Sequence, residues 1–352
     1  MICLAAAGCA RGVNDGPAKQ YLFFPPEPVE PRVQFLCSFR GAKDVESPAG
    51  WLTKLVLGED ADATAALDKP FGVAVRDGKV YVADTRDPGI VVFDFRNRRY
   101  ETFGKTGPGR LKMPINIRFA EDGNIYVTDS LREQIIVFDP DGRYVTAYGV
   151  PGDFRPVDLI LTGDEMYVLD IREHNIKVYD KATRELKRTL GRRGSKPGEF
   201  NYPGSLDIDA EGYIYVNDAM NFRIQKIDPN GGALLYFGRA GDTAGCLARP
   251  RGIAVDRSGI IYVADAKLHT VLLFNEKGQP LMNFGNPGME EGDLILPAQI
   301  AIDYDGLELF EKYISPDFDA QYLLFVTSQI GNNKVSVFAF GGRKVGTPPK
   351  QQ

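Results

Sequence analysis

One proline returns along most of this chain at a nearly fixed interval. It is Pro70, Pro114, Pro156, Pro203, Pro250 and Pro297, at steps of 44, 42, 47, 47 and 47 residues. The segment behind each proline reads alike, and the clearest copy runs PRGIAVDRSGIIYVADAKLHTVLLFNEKGQPLMNFG from Pro250 to Gly285. A short apolar run follows the proline, as in Gly72–Arg76, Ile115–Ala120 and Gly252–Asp256. Then comes a turn dipeptide (Asp77-Gly78, Asp122-Gly123, Glu211-Gly212 or Ser258-Gly259) of the kind that supplies positive φ in a tight hairpin. A second run ends in aspartate: Asp84, Asp129, Asp170, Asp218 and Asp265. A third is rich in β-branched residues, and a fourth usually ends in aromatic-Gly, as at Phe103-Gly104, Tyr148-Gly149, Phe237-Gly238 and Phe284-Gly285. Alternation with β-branched enrichment predicts strands, and no stretch sustains helical periodicity.

Four short strands in a unit of this length cannot bury an apolar face alone, so the copies must stack. The pattern predicts an all-β chain folded as a six-bladed β-propeller. The sixth copy holds only three strands, ending at Lys334–Phe340, whereas Val33–Phe39 followed by Arg40-Gly41 reads as an orphan fourth strand. Pairing strand 33–39 with strand 334–340 closes the ring and removes an open sheet edge. The expected organisation is a lipobox-like segment at 1–9, a proline-rich tether at 10–31, the propeller at 32–340 and a disordered tail at 341–352.

The P-x-G-I-A-V start, the I-Y-V-A-D second strand and the D-x-x-N-x-R-I turn, best kept from Asp218 to Ile224, resemble the NHL-repeat family of six-bladed propellers. The likeness covers about residues 32–340. It implies the fold with force and function weakly, since the family spans RNA-binding, ubiquitin-ligase, peptide-amidating and bacterial surface proteins, and one fold hosts many activities. The bacterial lipoprotein members are the type this chain resembles, and they imply partners in extracytoplasmic redox systems, cytochromes among them.

With 42 basic and 47 acidic residues the formal net charge is −5, which speaks against nucleic-acid binding. No apolar run approaches the ~20 residues that span a bilayer. The start, MICLAAAGC, carries Ala6-Ala7-Gly8-Cys9, similar to a lipobox with Cys9 as the lipidated residue. As a secretory leader it is short: no Lys or Arg precedes Arg11, and only Ile2 to Ala7 form the apolar stretch. Five prolines between residues 10 and 31 suit an extended tether. The expected location is therefore extracytoplasmic, membrane-anchored, in the periplasm or at the cell surface. Cys37 and Cys246 are expected as separate free thiols, and no CxxC motif occurs.

Candidate sites fall into four sets. The aspartate ladder is expected to hold turns by accepting backbone N–H groups rather than to bind metal. His174 and His269 occupy one repeat position two blades apart; they read as turn residues, and two histidines cannot build a three-histidine zinc site. The second residue after each proline should line the mouth of the central channel. Asn116, Asp158, Ser205 and Gln299 could hold water there, or a structural Ca2+ through oxygen ligands, with no other cofactor expected. The fourth set is basic. Arg86, Arg132, Arg172, Arg223 and Lys267 follow the second strands, while Arg110, Arg155, Arg249 and Arg251 enter the first strands. Both loop sets belong to one face. A basic face on an acidic protein points to an anionic partner drawn by the local field: an acidic protein surface, haem propionates or an anionic glycan. Two insertions, 305–321 and 42–69 with the only tryptophan, Trp51, read as partner surfaces or as packed plugs. The expected function is an envelope-anchored, non-catalytic scaffold for a protein partner, with membrane contact through the lipid alone. The alternative is a channel-metal-dependent hydrolase or lactonase of the propeller type.

Overall fold

Each repeat folds as an antiparallel sheet and six sheets close a ring, in a computed structural model that describes residues 21–46 and 66–344. Five blades have four strands in simple up-and-down order. Blade one, for example, is Pro70–Arg76, Lys79–Asp84, Gly89–Asp94 and Arg99–Phe103. Most inner strands begin at the repeating proline itself, where the missing N–H costs no ladder bond. The sixth blade runs Pro297–Asp303, Phe318–Ser328, Val335–Arg343 and then Val33–Phe39. Val33 pairs with Phe340 and Phe39 with Val335, so the ring closes between the two ends of the chain as expected.

Two boundaries differ from the sequence reading. Leu22–Phe24, placed in the tether, forms a fifth strand on the closing blade, with Leu22 opposite Phe35. The reason is Phe24, which is buried and meets the rings of Phe284 and Phe338 at 6.4 and 6.2 Å. The last strand also continues to Arg343, whose guanidinium pairs with Glu27. Residues 1–20, 47–65 and 345–352, hence Cys9 and Trp51, lie outside the described residues.

Six apolar clusters sit between adjacent blades. The aromatic that ends a fourth strand docks on the next blade: Phe39 on Phe93 at 4.6 Å, Phe103 on Phe138 at 4.9 Å, Phe237 on Phe274 at 5.0 Å and Phe284 on Phe338 at 4.7 Å. These offset ring pairs add to plain area burial. The glycine after the aromatic lets the chain turn at once. Gly104 has φ 76°, and a Cβ there would lie 2.6 Å from Leu111. The 305–321 insertion is a packed plug on the face opposite the basic loops. Its short helix Leu307–Phe310 buries Phe310 between Phe95 and Phe325, and Gln34 bonds its backbone at Tyr313 and Ser315.

Candidate functional site: the arginine-rimmed funnel

The ladder aspartates set the shape of the basic face. Pro250 pairs directly opposite Asp265, so the loop entering the inner strand and the turn leaving the second strand are neighbours. Asp265 accepts N–H bonds from Ala248 and Arg249 in the first and from Lys267 and Leu268 in the second, at 2.7 to 3.1 Å. Asp84 and Asp129 each do the same for four residues. One buried carboxylate thus staples two loops, and its lone pairs are taken. Blade six has Ser328 in this place and makes one longer bond, from the Ile295 N–H at 3.3 Å. The histidines are turn residues too: Nδ1 of His174 accepts from the Tyr202 N–H at 3.0 Å, and that of His269 from Leu296 at 3.3 Å.

Side chains just before the ladder position interlock the blades. Thr128 donates to the Val157 carbonyl, Asn217 to that of Arg251 and Thr327 to that of Phe71. Each acceptor belongs to the next blade, and the residue bearing it stands on the rim of the channel.

Asn116, Asp158, Ser205 and Gln299 do not line an open mouth. They are buried and fill the channel neck. Gln299 Nε2 reaches across to Ser205 Oγ at 3.2 Å, and Ser205 Oγ donates to Asp158 at 2.8 Å. Asp158 also accepts from the N–H groups of Leu159 and Leu206 and from Arg118. Arg118 went unnoticed in the sequence because it stands two residues beyond the Asn116 position. Burial works against its charge, but Asp158 and Asp207 outweigh burial and hold its pKa above the ordinary value. Burial pushes the Asp207 carboxyl up, against the opposing pull of Arg118. With a guanidinium and three other donors on Asp158, the neck fits an internal ion pair better than a Ca2+ site. Among the described residues no group of three His, Cys, Asp or Glu is placed to hold a metal.

The basic set divides. Arg223 is buried, bonded to Asp218 and to the carbonyls of Lys196 and Glu199, and so is no part of a binding face. Arg132 braces the carbonyls of Pro108 and Arg110, Arg172 pairs with Glu133, and Arg86 pairs with Asp68. Lys267 stays exposed at the rim. Arg155 and Arg251, joined by Arg249, converge on a cavity of about 680 Å3 above the neck. Its floor and walls are apolar: Phe71, Met113, Ile115, Val157, Ile171 and Phe222. Among the described residues no carboxylate is within ion-pair distance of these three arginines. Arg251 lies over the Phe71 ring at 5.5 Å, and burial, with Arg249 beside it, pushes its pKa down to about 10.

The sequence reading missed this cavity because it followed the second residue after each proline. The wall comes from the first residue (Phe71, Ile115, Val157, Gly204, Arg251) and from the residue after the ladder aspartate (Ser130, Ile171, Ala219). Reading those two repeat positions across blades would have found it.

Residues 247–274 match the family model for the NHL repeat. A search of curated proteins finds no match. Among solved structures the chain is similar to virginiamycin B lyase from Staphylococcus aureus (14% identity, 77% of this chain and 84% of that one, TM-score 0.52). It is similar to a gluconolactonase from Xanthomonas campestris (14%, 93% and 99%, 0.54) and to the calcium-binding protein regucalcin from Agrobacterium tumefaciens (12%, 90% and 98%, 0.56). Identities this low carry the fold alone. Repeat, ring and family match together make the chain an NHL-repeat six-bladed β-propeller.

Proposed function

We propose that this propeller is a binding scaffold whose funnel captures an anionic protein partner. The reading rests on one observation: Arg155, Arg249 and Arg251 surround an apolar cavity that has, among the described residues, no acidic residue in its lining. A partly buried cation without a counter-charge costs stability, and the stacking of Arg251 on Phe71 offsets only part of that cost. A ligand carboxylate would repair that cost with charge-assisted, often bidentate bonds, and the apolar floor would add burial. Acidic faces and haem propionates of cytochromes have the required chemistry, which keeps an extracytoplasmic redox partner in view. Anchoring through Cys9 in the periplasm or at the cell surface belongs to the same proposal.

The hydrolase or lactonase alternative needs metal ligands open to the channel. Among the described residues the neck carboxylates are already engaged, Asp158 by Arg118, Ser205 and backbone N–H groups and Asp207 by Arg118 and the Val255 N–H, and this favours the scaffold. A stoichiometric divalent ion lost together with lactonase activity would favour the enzyme.

The test is crosslinking and capture in the native cells with wild type and with the Arg155→Glu, Arg249→Glu, Arg251→Glu triple variant. We expect a reproducible partner that the variant loses while its urea midpoint is kept. Undiminished capture by the variant defeats the proposal.

A further inference from the structure

A second cavity of about 690 Å3 adjoins the funnel on the same face. It is walled by Pro88, Pro108, Leu111 and Pro151, with Leu131 57% exposed beside them. Consecutive residues of two segments line the two cavities. Lys112 lines the outer cavity and Met113 the funnel; Leu131 lines the outer cavity and Ser130 the funnel. The outer cavity adds Arg110 and Lys112, both exposed and, among the described residues, without a carboxylate partner. Among the described residues neither lining contains an aspartate or glutamate, in a chain that has 47 of them. The outer walls are also stiff, because Arg132 ties Pro108 and Arg110 to Gln134 and three prolines fix the loops.

We propose that the occupant is an extended acidic segment of the partner protein, lying across both cavities. It would seat an apolar side chain in the funnel over Phe71 and Ile115. Its carboxylates would meet Arg249 and Arg251 at one end, and Arg110 and Lys112 at the other. The inference rests on the binding reading above and narrows it. A compact amphiphile would use the funnel alone and leave the acid-free outer cavity and the exposed Leu131 without purpose. Nucleic acid is disfavoured by the net charge of −5 and by a floor that is largely aliphatic rather than a run of stacking rings. Stiff walls reduce the ordering cost of binding, which suits a flexible peptide ligand.

The probe is a displayed pool of peptides of about eight residues, ~26 Å when extended, randomised over Glu, Asp, Leu, Phe and Gly. The best binder is then measured by fluorescence anisotropy beside dodecanoate and an oligouridylate. Two variants are compared with wild type: Arg249→Gln with Arg251→Gln in the funnel, and Arg110→Gln with Leu131→Ser in the outer cavity. All four positions lie on the surface or the rim, so both variants should keep the fold, which their urea midpoints check. We expect acid-rich sequences with one or two apolar residues, and each variant should weaken the peptide about tenfold or more. Dodecanoate should respond only to the funnel variant. Peptide binding lost in the funnel variant and unchanged in the outer one overturns the extended ligand but leaves the binding function standing. Indifference to both variants overturns both. Selection of acid-poor peptides, no selection at all, or tighter binding of the oligouridylate also overturns the inference.

Discussion

Replacing Asp265 by alanine removes the acceptor of four backbone N–H groups at once, those of Ala248, Arg249, Lys267 and Leu268. The carboxylate is fully buried. A buried donor left unpaired costs about 1–3 kcal/mol. The turn donors can turn partly to water, so a low value for each is reasonable, and the whole change should cost about 3–5 kcal/mol. Asp265→Asn keeps one acceptor oxygen but turns an amide NH2 toward the Ala248 N–H or the turn, and should lose about half as much. Blade six carries its own control. Ser328→Ala deletes a single 3.3 Å bond and should cost less than about 1 kcal/mol. Urea unfolding at neutral pH separates the three, by midpoint at constant slope. Chelation of divalent ions should leave the wild-type midpoint where it is. A loss in Asp265→Ala no larger than in Ser328→Ala would refute the staple, and a chelator-induced loss of similar size would point to metal.

Three other expectations follow from particular contacts. Gly252→Ala would set a Cβ 2.2 Å from Gln299 Oε1 and 2.6 Å from the Ala298 carbonyl, where blades five and six meet; unfolding should show a loss of roughly 1–3 kcal/mol, against almost none for Gly204→Ala, whose Cβ finds ordinary contact at 3.4 Å. The Arg188 guanidinium, helped by Lys187 and the Tyr167 hydroxyl, holds the Glu165 carboxyl well below its usual 4.5. A lowered carboxylate pKa stabilises above the unfolded value and is lost below it, so the urea midpoint should fall as pH drops from 4.5, and Glu165→Gln should flatten that fall. Mass spectrometry of protein from the native cells should find Cys9 as a lipidated first residue; an intact, unmodified Met1 would end the lipoprotein proposal.

The fold was legible because its rules are local and repeated. Proline starts, Asp-Gly turns and β-branched runs each specify one strand or turn, and six copies average out the exceptions. The orphan run Val33–Phe39 could be assigned because a ring needs closure. Leu22–Phe24 was not legible, since three residues amid prolines look like a tether until Phe24 is seen filling the gap between Phe284 and Phe338. The site was half legible. Arginines were visible as a class, but which were free depended on distant partners: Glu133 takes Arg172 from a neighbouring blade, and the carbonyls of Lys196 and Glu199 take Arg223. The funnel joins residues from five repeats, so its apolar floor has no signature in any one segment.

The central claim is that the funnel arginines serve a ligand and not the fold. Arg251→Met tests it most directly, because it keeps the side-chain bulk over Phe71 and removes only the uncompensated charge. Urea unfolding and partner capture should be measured on the same preparation. We expect the variant to be as stable as wild type or more stable by about 1 kcal/mol, with capture weakened about tenfold or more. A clear loss of stability with capture unchanged would mean that Arg251 is a structural residue and that the funnel is not the binding site.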